Sequence, residues 1–127
     1  MSKLVLTNSI NMLKAVAISN YSSQYQDPIV LKKGETVHLG QEESEEKWKG
    51  WIWAENETHG GWVPIQILKI DQSKLTAQVL EDYSAKELDV EKGDTITVSQ
   101  QLNGWLWSKS NKSNDVGWVP EENIQYL

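Results

Sequence analysis

The chain has 127 residues and a net charge of −6, from 12 lysines and no arginine against 18 acidic residues. That length holds one ordinary domain or two small ones near the lower size limit for a self-sufficient core. An acidic chain without the bidentate arginine fork is poorly suited to track phosphates, so nucleic acid is not an expected partner, and the absence of cysteine excludes disulfides, thiolate metal sites and cysteine nucleophiles.

In chain order, Met1 to Met12 is polar at Thr7, Asn8, Ser9 and Asn11 and carries no apolar run of the signal-peptide kind. No stretch is long and apolar enough to span a bilayer, so a soluble, cytoplasmic protein without a membrane partner is expected. Thr36-Val37-His38-Leu39 alternates and is rich in β-branched residues, as a short strand should be, and Trp51-Ile52-Trp53-Ala54 alternates in the same way. Ile65-Gln66-Ile67 follows Pro64 and predicts a single 3₁₀ turn. Asp71-Gln72-Ser73-Lys74 reads as a short polar linker. Beyond it, Thr95-Ile96-Thr97-Val98 and Trp105-Leu106-Trp107-Ser108 predict further strands, and Glu121-Glu122-Asn123 after Pro120 predicts a second 3₁₀ turn.

The elements after the linker repeat those before it. Ala17-Ile18-Ser19-Asn20-Tyr21 matches Val79-Leu80-Glu81-Asp82-Tyr83, and Lys32-Lys33-Gly34-Glu35 matches Glu91-Lys92-Gly93-Asp94. Gly50-Trp51-Ile52-Trp53 recurs as Gly104-Trp105-Leu106-Trp107, and Gly61-Trp62-Val63-Pro64 as Gly117-Trp118-Val119-Pro120. The offsets run 62, 59, 54 and 56, drifting only between motifs, as strands joined by variable loops do. The second copy is three residues shorter after its tyrosine. Two homologous all-β domains are expected, 14–70 and 75–127, each a small five-stranded barrel.

A tyrosine after an acidic or amide residue, a Lys-Gly turn, Gly-Trp, then Gly-Trp-Val-Pro, in that order and twice over, resembles the Src-homology 3 (SH3) domain, in the variant form found in bacterial proteins with tandem copies. The resemblance implies an RT loop after the tyrosine, an n-Src loop before Gly-Trp and a distal hairpin between the last two motifs. It also implies an aromatic groove for proline-rich segments in the polyproline II conformation. By motif position the groove of the first copy would use Tyr21, Trp51, Trp62 and Pro64, and that of the second Tyr83, Trp105, Trp118 and Pro120. The acidic side that meets a basic ligand residue would come from Asp27 in the first copy and from Glu87 and Asp89 in the second. Two tyrosines of the family pattern are replaced in each copy, by Ser19 and Ile67 in the first and by Glu81 and Asn123 in the second.

Strand alternation adds an independent reading. Trp51 and Trp53 share one face while Ile52 and Ala54 share the other, and small aliphatic residues suit the interior of so small a barrel, so the indoles should face outward with Trp62 beside them. Trp105, Trp107 and Trp118 repeat the arrangement, and only Trp48 among the seven tryptophans stands apart. Three uses remain open: a binding face, a cover over the barrel end by Trp53 and Trp107, or packing of one aromatic face on the other. The run Glu42-Glu43-Ser44-Glu45-Glu46 is either a solvated loop or an acidic lip beside Trp51.

His38 and His59 have no companions that complete a metal site, and neither a nucleophile triad nor a phosphate loop is present, so neither a cofactor nor an enzyme is expected. The expected function is a non-enzymatic tandem module, monomeric, that takes a protein or peptide ligand. An extended segment is expected, with proline-containing and basic sequences as the candidates. A cell-wall or carbohydrate ligand and a structural adaptor that uses the indoles for packing or self-association are the alternatives.

Overall fold

The computed structural model describes residues 8–24, 26–46 and 49–127. Most of the amino-terminal polar stretch and Trp48 therefore lie outside the described residues. The fold is all-β, with two five-stranded sheets. Among the described residues no helix is long and apolar enough to cross a membrane.

Two compact units divide the chain, and they do so across the sequence repeats. A continuous unit spans 27–85, and a split unit combines residues up to 26 with 86–127. In the continuous unit the strands are β2 (Val30–Leu31), β3 (Thr36–Glu42), β4 (Trp51–Glu55), β5 (Gly60–Pro64), β6 (Leu68–Asp71), β7 (Thr76–Val79) and β8 (Tyr83–Ser84). Its large sheet has the order β5-β4-β3-β7-β6, and β2 pairs with β8. The split unit holds β1 (Asn8–Ala17), β9 (Thr95–Leu102), β10 (Trp105–Ser110), β11 (Val116–Pro120) and β12 (Ile124–Tyr126), in the order β11-β10-β9-β1-β12. All strand pairs are antiparallel.

The two sheets have one topology, but each takes one strand from the other repeat. β1, from the first repeat, lies between β9 and β12 of the second, with Val16 opposite Thr95 and Ala17 opposite Ile124. β7, from the second, lies between β3 and β6 of the first, with Thr36 opposite Gln78 and Leu68 opposite Val79. The segment Asp71–Lys74, expected as a linker, is instead the turn of the β6–β7 hairpin. Asp71 Oδ1 accepts from the Ser73 amide at 3.1 Å and its hydroxyl at 2.7 Å, and the Lys74 amide donates to the Asp71 carbonyl at 3.2 Å. An aspartate that bonds its own backbone two residues on is a turn former, which is why a polar run that reads as a linker folds the chain back.

Within the shortened loop of the second repeat the chain passes from one unit into the other. The Ala85 amide donates to the Ile29 carbonyl at 3.0 Å, within the continuous unit. The very next residue, Lys86, accepts the Trp118 amide at 2.9 Å, within the split unit. No residue lies between these two engagements, so the arm after Tyr83 runs straight on rather than turning back.

Both Lys-Gly turns receive the exchanged strand in the same way. The Gly34 amide donates to the Val79 carbonyl and the Gly93 amide to the Ala17 carbonyl, each at 2.8 Å. Gly34 and Gly93 have φ of 93° and 95°, where a side chain would be strained. Just before each glycine, the Lys33 amide donates to Asp82 Oδ1 at 2.8 Å and the Lys92 amide to Asn20 Oδ1 at 2.7 Å. The residue before each tyrosine thus needs a side-chain acceptor, and Asp and Asn both supply one.

Alternation places the cores. Ala15, Ala17, Leu88, Val90, Ile96, Val98, Leu106, Val119 and Ile124 are buried together in the split unit, with Tyr21 packed against them. In the continuous unit Ile29, Leu31, Val37, Ile52, Ala54, Val63, Ile67, Leu68, Ala77 and Val79 are buried. Full burial of each larger aliphatic side chain contributes about 1.5–3 kcal/mol. The predicted 3₁₀ turns are present at Ile65–Ile67 and Glu121–Asn123, each starting from its proline.

A Cys-free chain lets the exchange be read by engineered cross-links. Val16→Cys with Thr95→Cys should form a disulfide on mild oxidation, since the two face each other across β1 and β9. Val16→Cys with Thr36→Cys should not, and peptide mass mapping distinguishes the pairs.

The split unit also carries depressed carboxylates. The Glu91 amide, donating to Asp94 Oδ2 at 2.9 Å, and then Lys112 Nζ, 3.3 Å away, hold Asp94 below its ordinary 3.8. Lys86, and then the Val116 amide, do the same for Asp115. A carboxylate with a lowered folded-state value adds stability that is complete above its unfolded value and is lost as pH falls through the lowered one. The split unit should therefore lose stability below about pH 4, and Asp94→Asn should flatten that acid limb in denaturation midpoints followed against pH.

Candidate ligand-binding grooves

In the split unit Trp105 opens β10 directly opposite Pro120 of β11. Tyr21 meets the Trp105 ring edge-on, with centroids 5.9 Å apart and planes at 78°. Both rings are half-buried, leaving part of each open to solvent. The motif positions had assigned Tyr21 to Trp51; the strand exchange carries it to Trp105.

The arm after Tyr21 is held by carboxylates of the second repeat. The Tyr21 hydroxyl donates to Glu87 Oε1 at 2.7 Å, and the Gln24 amide reaches the same oxygen at 2.8 Å. The Ser23 amide donates to Asp89 Oδ1 at 2.6 Å. On the other side, the backbone of Lys86–Leu88 runs along β11: the Trp118 amide bonds Lys86, and the Leu88 amide bonds the Trp118 carbonyl at 3.0 Å. Gly117 permits this approach, because a Cβ there would lie 2.7 Å from the Glu87 carbonyl carbon.

In the continuous unit Trp51 stands opposite Pro64, matching Trp105 and Pro120. The second repeat contributes Tyr83 to this unit, in β8, where it pairs with Leu31. Here the aromatics are covered: Trp51 is 9% exposed and Tyr83 8%. Among the described residues, the buried Trp51 indole N–H has no hydrogen-bond partner. The Glu43 amide donates to the Trp51 carbonyl at 2.9 Å.

The remaining indoles follow the strand register. Trp53 faces Trp62 and Trp107 faces Trp118, edge-on at 5.5 Å and 5.2 Å. Trp53, Trp62 and Trp107 are half-buried and Trp118 is 6% exposed, so the outward face of β11 is more covered than alternation alone suggests. Trp53 Nε1 donates to Glu55 Oε2 at 2.9 Å, and Gly40 and Gly60 leave room for its ring.

One feature escaped the sequence reading. Asp27 Oδ2 lies 2.9 Å from His59 Nε2, joining the arm after the RT loop to the distal hairpin. At the equivalent positions of the split unit Lys86 pairs with Asp115. The offsets of 59 and 56 already placed these residues in register, but the two pairs, with the carboxylate on opposite partners, become visible only when arm and hairpin are brought together.

Residues 14–71 and 76–127 each match the family model of the variant SH3 domain. The chain belongs to that family and carries the domain in tandem. No curated protein is matched by the chain. SH3-type domains are usually protein- or peptide-binding modules and are generally non-catalytic.

The close approach at Gly117 is testable. Gly117→Ala should destabilise the protein by about 1–3 kcal/mol, because backbone of Glu87 and Leu88 must shift. Gly61→Ala, which meets only the Ile29 side chain at 2.9 Å, should cost less in urea midpoints.

Proposed function

We propose that the protein is a non-enzymatic peptide-binding module whose principal groove lies in the split unit and takes an extended, proline-containing segment. The observation that carries this reading is the half-open pair of Tyr21 and Trp105 beside Pro120. Edge-on aromatic rings that are half open to solvent form a ridged apolar platform, suited to a polyproline II segment. Such a ligand loses little backbone entropy on binding, so a shallow groove suffices for a weak, specific contact.

The continuous unit supports a secondary role in binding. Trp51 and Tyr83 are nearly covered, and a ligand there has to displace what covers them before it reaches the unpartnered indole N–H. Leaving such a donor buried costs about 1–3 kcal/mol, which a ligand carbonyl would recover.

The test is a titration of ¹⁵N-labelled protein with decaproline, following indole N–H signals. Trp105→Ala should weaken binding about tenfold or more, while Trp51→Ala should change it by less than about threefold. Equal losses in both variants would make the two units equivalent sites, and unchanged affinity in both would remove the groove reading.

A further inference from the structure

The two carboxylates that the family pattern offers to a basic ligand residue are already engaged by the chain itself. Glu87 Oε1 receives two donors, the Tyr21 hydroxyl and the Gln24 amide, and Asp89 Oδ1 receives the Ser23 amide. All three donors belong to the first repeat, and both acceptors to the second. At the equivalent positions, 59 residues earlier, the first repeat has Pro28 and Val30, whose side chains accept nothing. The arm 21–24 therefore finds side-chain acceptors at these places only on the second repeat.

We propose that Glu87 and Asp89 are positioning residues: they select the 21–24 arm of the first repeat and set Tyr21 against Trp105. The ligand of this groove is then anchored by its apolar, proline-type residues rather than by a lysine or arginine. The second half of this proposal rests on the groove reading above. A hydrogen-bonded carboxylate still attracts a nearby cation. With Oε1 shared between two donors, however, Glu87 no longer presents the paired oxygens that a guanidinium fork needs. What remains is the screened attraction of an exposed ion pair, worth up to about fivefold in affinity.

The experiment uses the full-length chain. In the free protein, Glu87→Ala should speed amide hydrogen exchange at Gln24 about tenfold and move the Trp105 indole signal, and Asp89→Ala should do the same for the Ser23 amide. Glu87→Gln keeps a carbonyl acceptor and should restore most of the protection, which a purely electrostatic role would not predict. Decaproline and decaproline bearing one terminal arginine should then bind within about fivefold of each other, with little dependence on salt.

Unchanged exchange in both alanine variants overturns the positioning role. An arginine peptide that binds tenfold tighter, with the gain lost in Glu87→Gln, overturns the proposed ligand preference. If neither peptide moves the Trp105 signal the groove reading fails, and the exchange rates alone decide the positioning role.

Discussion

Between Ala85 and Lys86 there is a single peptide bond, and the architecture turns on it. Ala85 is bonded to Ile29 in one unit while Lys86 is bonded to Trp118 in the other. With both residues so engaged, the loop of the second repeat crosses instead of turning. The first strand of that repeat, β7, completes the sheet of the first repeat, and β1 completes the sheet of the second. The outcome is one barrel built from a continuous stretch, inserted into the RT loop of another. Such an insertion costs little where the ends of the inserted unit already lie together, and the Ile29–Ala85 bond brings them together.

Strand exchange makes each candidate groove a joint product of both repeats. Tyr21 and the arm behind it come from the first repeat, while Trp105, Pro120 and the two carboxylates come from the second. The continuous unit mirrors this in its strands: Tyr83 of the second repeat pairs with Leu31 of the first, in the unit that carries Trp51 and Pro64. Ile18 and Leu80 show how closely the exchange preserves geometry: the Ile18 amide donates to the Asn123 carbonyl and the Leu80 amide to the Ile67 carbonyl, both at 2.7 Å. The side chains beside them differ. The Ser19 hydroxyl accepts from the Asn123 side-chain amide at 2.7 Å, whereas one buried Glu81 carboxylate oxygen has no partner among the described residues. The backbone is duplicated and the polar detail is not.

The same asymmetry separates the indoles. Trp51 and Trp105 hold one position on the two sheets, yet one is covered with an unmet N–H and the other is half-open against a tyrosine. Alternation sets only which side of a strand a residue faces. Whether that side meets solvent, a neighbouring ring or a crossing arm depends on what the loops bring over it, and the loops are where the repeats diverge.

Much of this was legible in the residues alone. The repeated motifs identify two SH3-like sheets, the alternation of Trp with Ile, Leu and Ala names the core side of β4 and β10, and the prolines locate both 3₁₀ turns. These features are local: a few adjacent residues carry the dihedral preference or the period that produces them. Tertiary structure alone decided which first strand closes which sheet, that Asp71–Lys74 turns rather than links, and that Tyr21 stands on Trp105. The two copies of the first strand have nearly the same apolar pattern, so pattern cannot choose between their docking sites. What differs between the sites is contacts such as those to Glu87 and Asp89, whose donors lie more than sixty residues away in sequence and become neighbours only in the folded chain.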